Sequence, residues 1–187
     1  TNLKAQFVTI SDPNFVTWLQ ANVPSAMSGN QMDTTSLAVT NRVYILINDS
    51  RVVDLNGIQY FDSLKTLNCS INVYDTISIR LQYIPALPSM LDTFICYGNR
   101  IDSLPALPSG LTVFDCSQNL LDSLPALPIT IKHFNCWGNQ LDSLPTLPDS
   151  LITFNCCNNN LQTIPVLPVG VTSFTCSNNQ LQGLPAL

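Results

Sequence analysis

From Leu81 onward, apolar and polar positions return every 20 residues without a gap; a period of that length decides the architecture before any local structure is read. Phe94, Phe114, Phe134, Phe154 and Phe174 mark one column, and Cys96, Cys116, Cys136, Cys156 and Cys176 a second two residues later. Asn99, Asn119, Asn139, Asn159 and Asn179 form a third. Leu91, Leu111, Ile131, Leu151 and Val171 open the units, and Ile101, Leu121, Leu141, Leu161 and Leu181 follow the asparagines. Alternation around Phe and Cys predicts a short strand with both side chains inward, and Asn predicts the turn that leaves it. Apart from Pro13 and Pro24, every proline falls on the same grid, in strings from Ile84-Pro85-Ala86-Leu87-Pro88 to Leu184-Pro185-Ala186-Leu187. Proline lacks the N–H and fixes φ, so this half of each unit is expected to be extended or polyproline-like, not helical. The units should stack through parallel strands about 4.8 Å apart.

The first 80 residues keep the pattern only loosely. Ser11-Asp12-Pro13-Asn14-Phe15-Val16-Thr17-Trp18-Leu19 offers a cap, an early proline and apolar residues at helical spacing, which predicts a capping helix that buries Phe15 and Trp18 over the first rung. Arg42–Ile47 is a strand candidate. Val52–Phe61 leads into Leu64–Asn72, where Cys69 and Asn72 keep the Cys-x-x-Asn spacing. Cys69 to Cys96 is longer than one period, so an insertion is expected between Val73 and Arg80 as a loop or bulge. The division expected is a tail and helical cap over 1–40, degenerate first repeats over 41–80 and regular 20-residue repeats over 81–187, as one continuous domain. The last unit stops midway at Leu187, which reads as a truncation without a C-terminal cap. The six opening residues, with Ala5 near a small-residue position, hint at the end of a signal peptide.

Each unit matches the leucine-rich-repeat consensus L-x-x-L-x-L-x-x-N/C-x-L, with Phe and Cys in two of the leucine places. The segment from Ser11-Asp12-Pro13-Asn14-Phe15 through Leu64-Lys65-Thr66-Leu67-Asn68-Cys69 resembles internalin-like secreted bacterial repeat proteins with a cysteine ladder. The Leu-Pro-x-Leu-Pro strings look like the short bacterial repeat class of type III-secreted effectors. Together these resemblances imply an α/β-type repeat solenoid, a curved leucine-rich-repeat fold with parallel strands on the concave face, extended or polyproline-like convex segments and an N-terminal helical cap. They also imply surface recognition by an exported protein. No effector ligase domain with its catalytic Cys accompanies the repeats, so no enzymatic activity is carried over.

Composition narrows the partner. Charged residues are only 10% of the chain, there is no Glu, and the net charge is −5. The surface must therefore be built of Asn, Ser, Thr and Gln, and the scattered Lys and Arg give no phosphate-tracking face, which excludes nucleic acid. No apolar run reaches the roughly 20 residues needed to cross a bilayer. The inward cysteine column reads as reduced core thiols rather than disulfides. Cys157, beside Cys156, should point outward and is the one candidate reactive thiol. No Cys-x-x-Cys pair suggests zinc, and no cofactor is expected.

On the concave face the outward rows are Thr93, Val113, His133, Thr153, Ser173, then Ile95, Asp115, Asn135, Asn155, Thr175, then Tyr97, Ser117, Trp137, Cys157, Ser177. Aromatic side chains dominate interface energetics. The candidate ligand-binding set is therefore Tyr97, Trp137, His133 and Asp115, with Asn135 and Asn155 beside them. His133 is the single histidine, on an open face with no Gly-rich phosphate loop or nucleophile elbow, so the chain is read as no enzyme. Asp102-Ser103-Leu104, Asp122-Ser123-Leu124 and Asp142-Ser143-Leu144 repeat on a flank. They read as solvated turn carboxylates, and Asp-Ser-aliphatic also resembles an O-glycosylation signal of exported gram-negative proteins. The function expected is a non-catalytic, secreted or cell-surface scaffold binding a protein or glycan ligand. A stalk for another domain and the substrate-recognition part of a secreted effector are the alternatives. The chain is expected to be a monomer, with end-to-end association through its uncapped last rung as the alternative.

The inward assignment has a direct test. Cys136→Asp should lower stability by several kcal/mol in urea denaturation, because an unpaired carboxylate would lie between apolar rungs. An unchanged midpoint would place residue 136 on the surface.

Overall fold

A computed structural model describes residues 5–71 and 80–183. The insertion expected between Val73 and Arg80 falls, but for Arg80, outside the described residues, as do Asn72 and the last Leu-Pro string. Seven short strands follow one another in chain order: β4 (Tyr44–Leu46), β5 (Thr66–Asn68), β6 (Thr93–Ile95), β7 (Val113–Asp115), β8 (His133–Asn135), β9 (Thr153–Asn155) and β10 (Ser173–Thr175). All are parallel and in register, with Phe94, Phe114, Phe134, Phe154 and Phe174 aligned. This is a leucine-rich-repeat solenoid with its sheet on the concave side.

The inward residues make the core. The five phenylalanine rings stack with centroids 5.4–5.8 Å apart and nearly parallel planes; burying each of the first four contributes roughly 1.5–3 kcal/mol, while Phe174 is only partly buried. Beside them the asparagines tie each rung to the one before. Asn119 Nδ2 donates to the carbonyls of Cys96 and Cys116, both at 3.0 Å, and its Oδ1 accepts from Ile101 N at 3.1 Å. Asn139, Asn159 and Asn179 repeat the arrangement. Since a backbone carbonyl buried without a partner is costly, this one side chain closes the account at every strand exit.

Along the convex side, 101–108 and its equivalents adopt neither helix nor strand. A tight turn brings each unit back: Leu111 N donates to Pro108 O at 3.1 Å, and Ile131, Leu151 and Val171 repeat the bond to Pro128, Pro148 and Pro168. Thr130 Oγ1 and Ser150 Oγ each reach two carbonyls of the preceding unit, at 2.6–2.9 Å. The exposed Ser103, Ser123 and Ser143 hydroxyls donate to the adjacent Asp102, Asp122 and Asp142.

The N-terminal segment holds more structure than its pattern showed. Strands β1 (Phe7–Thr9), β2 (Met27–Ser28) and β3 (Gln31–Asp33) form a small antiparallel sheet, with helix α1 (Pro13–Asn22) between β1 and β2 in the chain, and a short helix α2 (Leu37–Thr40) follows. Asp12 caps α1 through Oδ1, which accepts from Asn14 N and Phe15 N, while Oδ2 accepts from Val53 N and Asp54 N of the first turn of the coil. One buried carboxylate thus clamps cap to solenoid. Phe15 is fully buried as expected, but Trp18 is only partly so. The indole has a polar duty that holds it at the boundary: Nε1 donates to Leu46 O, and Arg42 Nε donates to Tyr44 O, both at 3.1 Å. In β4 the carbonyls of Tyr44 and Leu46 face away from β5, so these two bonds close the open edge of the sheet.

All seven cysteines are free thiols. Burial pushes the Cys69 and Cys156 thiols up to about 12 and those of Cys96, Cys116 and Cys136 well above the usual thiol range. Cys157 is partly buried, and its Sγ accepts from Ser177 N at 3.1 Å.

Two outcomes follow from this packing. Asp12→Ala should destabilise the chain by about 2–4 kcal/mol, read as a lower urea midpoint, because four amides lose their acceptor. A thiol-disulfide reagent at about pH 8 should titrate no more than Cys157 and Cys176 rapidly, with all seven thiols reacting after denaturation. Rapid reaction of Cys116 in the native protein would contradict the buried column.

Candidate functional site on the concave face

The outward strand positions are those flanking each inward Phe and Cys. In the middle row, one side-chain oxygen is turned back to the chain. Asp115 Oδ1 accepts from Ser117 N at 3.0 Å and Ser117 Oγ at 2.6 Å. Asn135 Oδ1 accepts from Trp137 N, and Asn155 Oδ1 from Cys157 N. Asn68 does the same for Ser70. This local capping by Asn and Asp gives β5, β7, β8 and β9 their exit, and in five rungs the chain then passes through a left-handed residue, at Gly98, Gln118, Gly138, Asn158 and Asn178. Glycine meets that need without strain, and asparagine tolerates it best among the others.

Because one oxygen is fixed in Asp115, Asn135 and Asn155, the second polar group of each is held in a set direction on the concave face. Asp115 Oδ2 accepts from Asn135 Nδ2 at 3.1 Å, which links two rungs. His133 is exposed, with Nδ1 3.0 Å from Thr153 Oγ1. These residues line an open groove of about 320 Å³ that runs across β7 to β10, from Asp115 and His133 through Asn135, Thr153 and Asn155 to Thr175. No Lys or Arg lines it.

The groove brings together His133, Asp115, Asn135 and Asn155. Tyr97 and Trp137 are not in its lining; they stand in the third row, partly buried, where the strands end. Physically, the third row belongs to the turn, so these rings border the sheet instead of flooring it. Thr153, Ser173 and Thr175 complete the groove. Their rows were readable from the period, but a small hydroxyl carries no signal that separates it from any other solvated position.

Chemically, the face offers hydroxyls, carboxamides, one carboxylate and one imidazole. Among the described residues no group of three His, Cys or Asp side chains is placed to hold a metal ion. Among them, too, no helix is long and apolar enough to cross a membrane.

No protein-family model matches the chain, and no curated protein matches it. Solved structures do. The chain is similar to the leucine-rich-repeat domain of a Shigella effector at 30% identity and a TM-score of 0.60, over 66% of this chain and 53% of that one. Its similarity to YopM from Yersinia enterocolitica WA-314 is 29% at a TM-score of 0.59, over 67% of this chain and 31% of that one. The functional domain of InlJ from Listeria monocytogenes, which includes a cysteine ladder, aligns with 97% of this chain and 50% of its own. At 17% identity and a TM-score of 0.61, that likeness is one of fold alone. The chain spans about a third to a half of these neighbours' lengths. By its rung geometry the chain is a leucine-rich-repeat solenoid with an inward column of cysteines, similar in fold to these bacterial repeat domains.

Proposed function

We propose that the chain is a non-catalytic recognition module of an exported bacterial protein, working as a monomer and holding its ligand on the concave face. The observation that carries this reading is the groove across β7 to β10, whose polar groups are fixed in direction by bonds to their own rungs. Fixed groups lose little freedom on binding, so more of each contact is realised as affinity. The Shigella neighbour, the leucine-rich-repeat domain of an effector, supports a reading as an exported interaction module. His133 argues against catalysis. Its imidazole pairs with Thr153 on an open face, and no third group among the described residues orients it, whereas a base and nucleophile couple needs such a partner and exclusion of water.

The test is affinity capture from cell-surface and host-surface extracts with three proteins of matched melting temperature: wild type, the groove variant Thr153→Arg/Thr175→Arg, and the convex control Ile129→Arg. A partner held by wild type and control but lost from the groove variant is the expected result. A partner held equally by all three, or none for any, would overturn the concave-face reading and favour a stalk for another domain.

A further inference from the structure

The reading above leaves the ligand class open, and the inference drawn here rests on it. We infer that the occupant of the groove is a neutral oligosaccharide. Four groups along its floor make no bond to the protein among the described residues: Asn155 Nδ2, the Ser173 and Thr175 hydroxyls and His133 Nε2. Asp115 Oδ2 adds an acceptor, bonded only to Asn135 Nδ2. The set mixes a donor, an acceptor and hydroxyls that serve as both. A sugar hydroxyl likewise donates and accepts, so a run of them satisfies such a floor without leaving either side unpaired.

Other occupants fit less well. A protein segment gains most of its affinity from aromatic or Arg anchors seated in desolvated pockets, and Ser and Thr are under-represented at such positions. Among outward side chains the groove offers one aliphatic, Val113, and no apolar pocket. An anionic polymer would need cations, and none line the groove; the chain carries a net charge of −5. Geometry adds a point in favour: the middle-row polar groups recur once per rung, about 4.8 Å apart, close to the scale on which rings repeat along an extended sugar chain.

Two isosteric substitutions test this with the strand-exit caps kept; Asp115→Asn also gives up the bond that Oδ2 accepts from Asn135 Nδ2, so the variants are compared at matched melting temperature. Asn155→Asp keeps the oxygen that caps Cys157 N and replaces the free donor by an acceptor; Asp115→Asn keeps the cap on Ser117 N and replaces the outward acceptor by a donor. Wild type, both variants and Ile129→Arg would be applied to an array of short neutral glucans, mannans, galactans and N-acetylglucosamine oligomers, their sulfated and uronic counterparts, and a displayed random-peptide library. The expected result is binding to a neutral glycan in preference to its acidic counterparts. That binding should weaken about tenfold in each isosteric variant, as loss of one hydrogen bond at fixed geometry predicts, and remain unchanged in Ile129→Arg. Peptide binding that fails in the same variants, with no glycan bound, would overturn the sugar and leave concave-face recognition standing. Glycan binding that survives both variants would overturn the groove as its location. Binding of neither class to the wild type would overturn the oligosaccharide, and capture from extracts would then decide the wider reading by itself.

Discussion

Everything in this solenoid depends on how a three-residue strand ends without leaving buried backbone groups unpaired. The column of asparagines solves this at each rung by bonding two carbonyls and one amide that belong to consecutive units. Each amide group therefore works between rungs as much as within one, so no rung is stable alone and the stack gains by extension. The hydroxyls of Thr130 and Ser150 do the same work on the convex side with weaker donors.

Once the strand exit is secured, the two halves of the unit are constrained oppositely. The inward half has to fill a column at fixed spacing, and identical phenylalanines stacked face to face do so with one side chain per rung. Cysteine fills the narrower space beside the ring, where the Cys116 and Cys156 thiols donate weakly to carbonyls of the following rung. The return half needs only to be thin and to stop donating. Proline supplies both, which lets a 20-residue unit close with little helix.

The same economy shapes the concave face. Asp115, Asn135 and Asn155 are strand-exit residues first, since one oxygen of each is committed to an amide two residues on. Their remaining groups inherit that rigidity, so the fold's own bonds supply the preorganisation that a binding surface needs. At the N-terminal edge, Trp18 and Arg42 cover carbonyls that a bare edge strand would present to another chain.

The sequence by itself determined the repeat, the direction of Phe and Cys, the asparagine turn, the non-helical return and the helix over Pro13–Asn22, because each rests on period or on local chemistry that a linear pattern carries. It did not show the small sheet of β1, β2 and β3, whose strands are too short for alternation to register and pair across a helix. The partial exposure of Trp18 likewise depends on a carbonyl 28 residues away. The six candidate binding residues were legible as outward positions, yet only the tertiary structure separated His133, Asp115, Asn135 and Asn155, which share a groove, from Tyr97 and Trp137, which border it. The period assigns a side chain to a face. Which outward side chains share a cavity depends on the curvature of the stacked sheet and on bonds between rungs, and neither is encoded in any single unit.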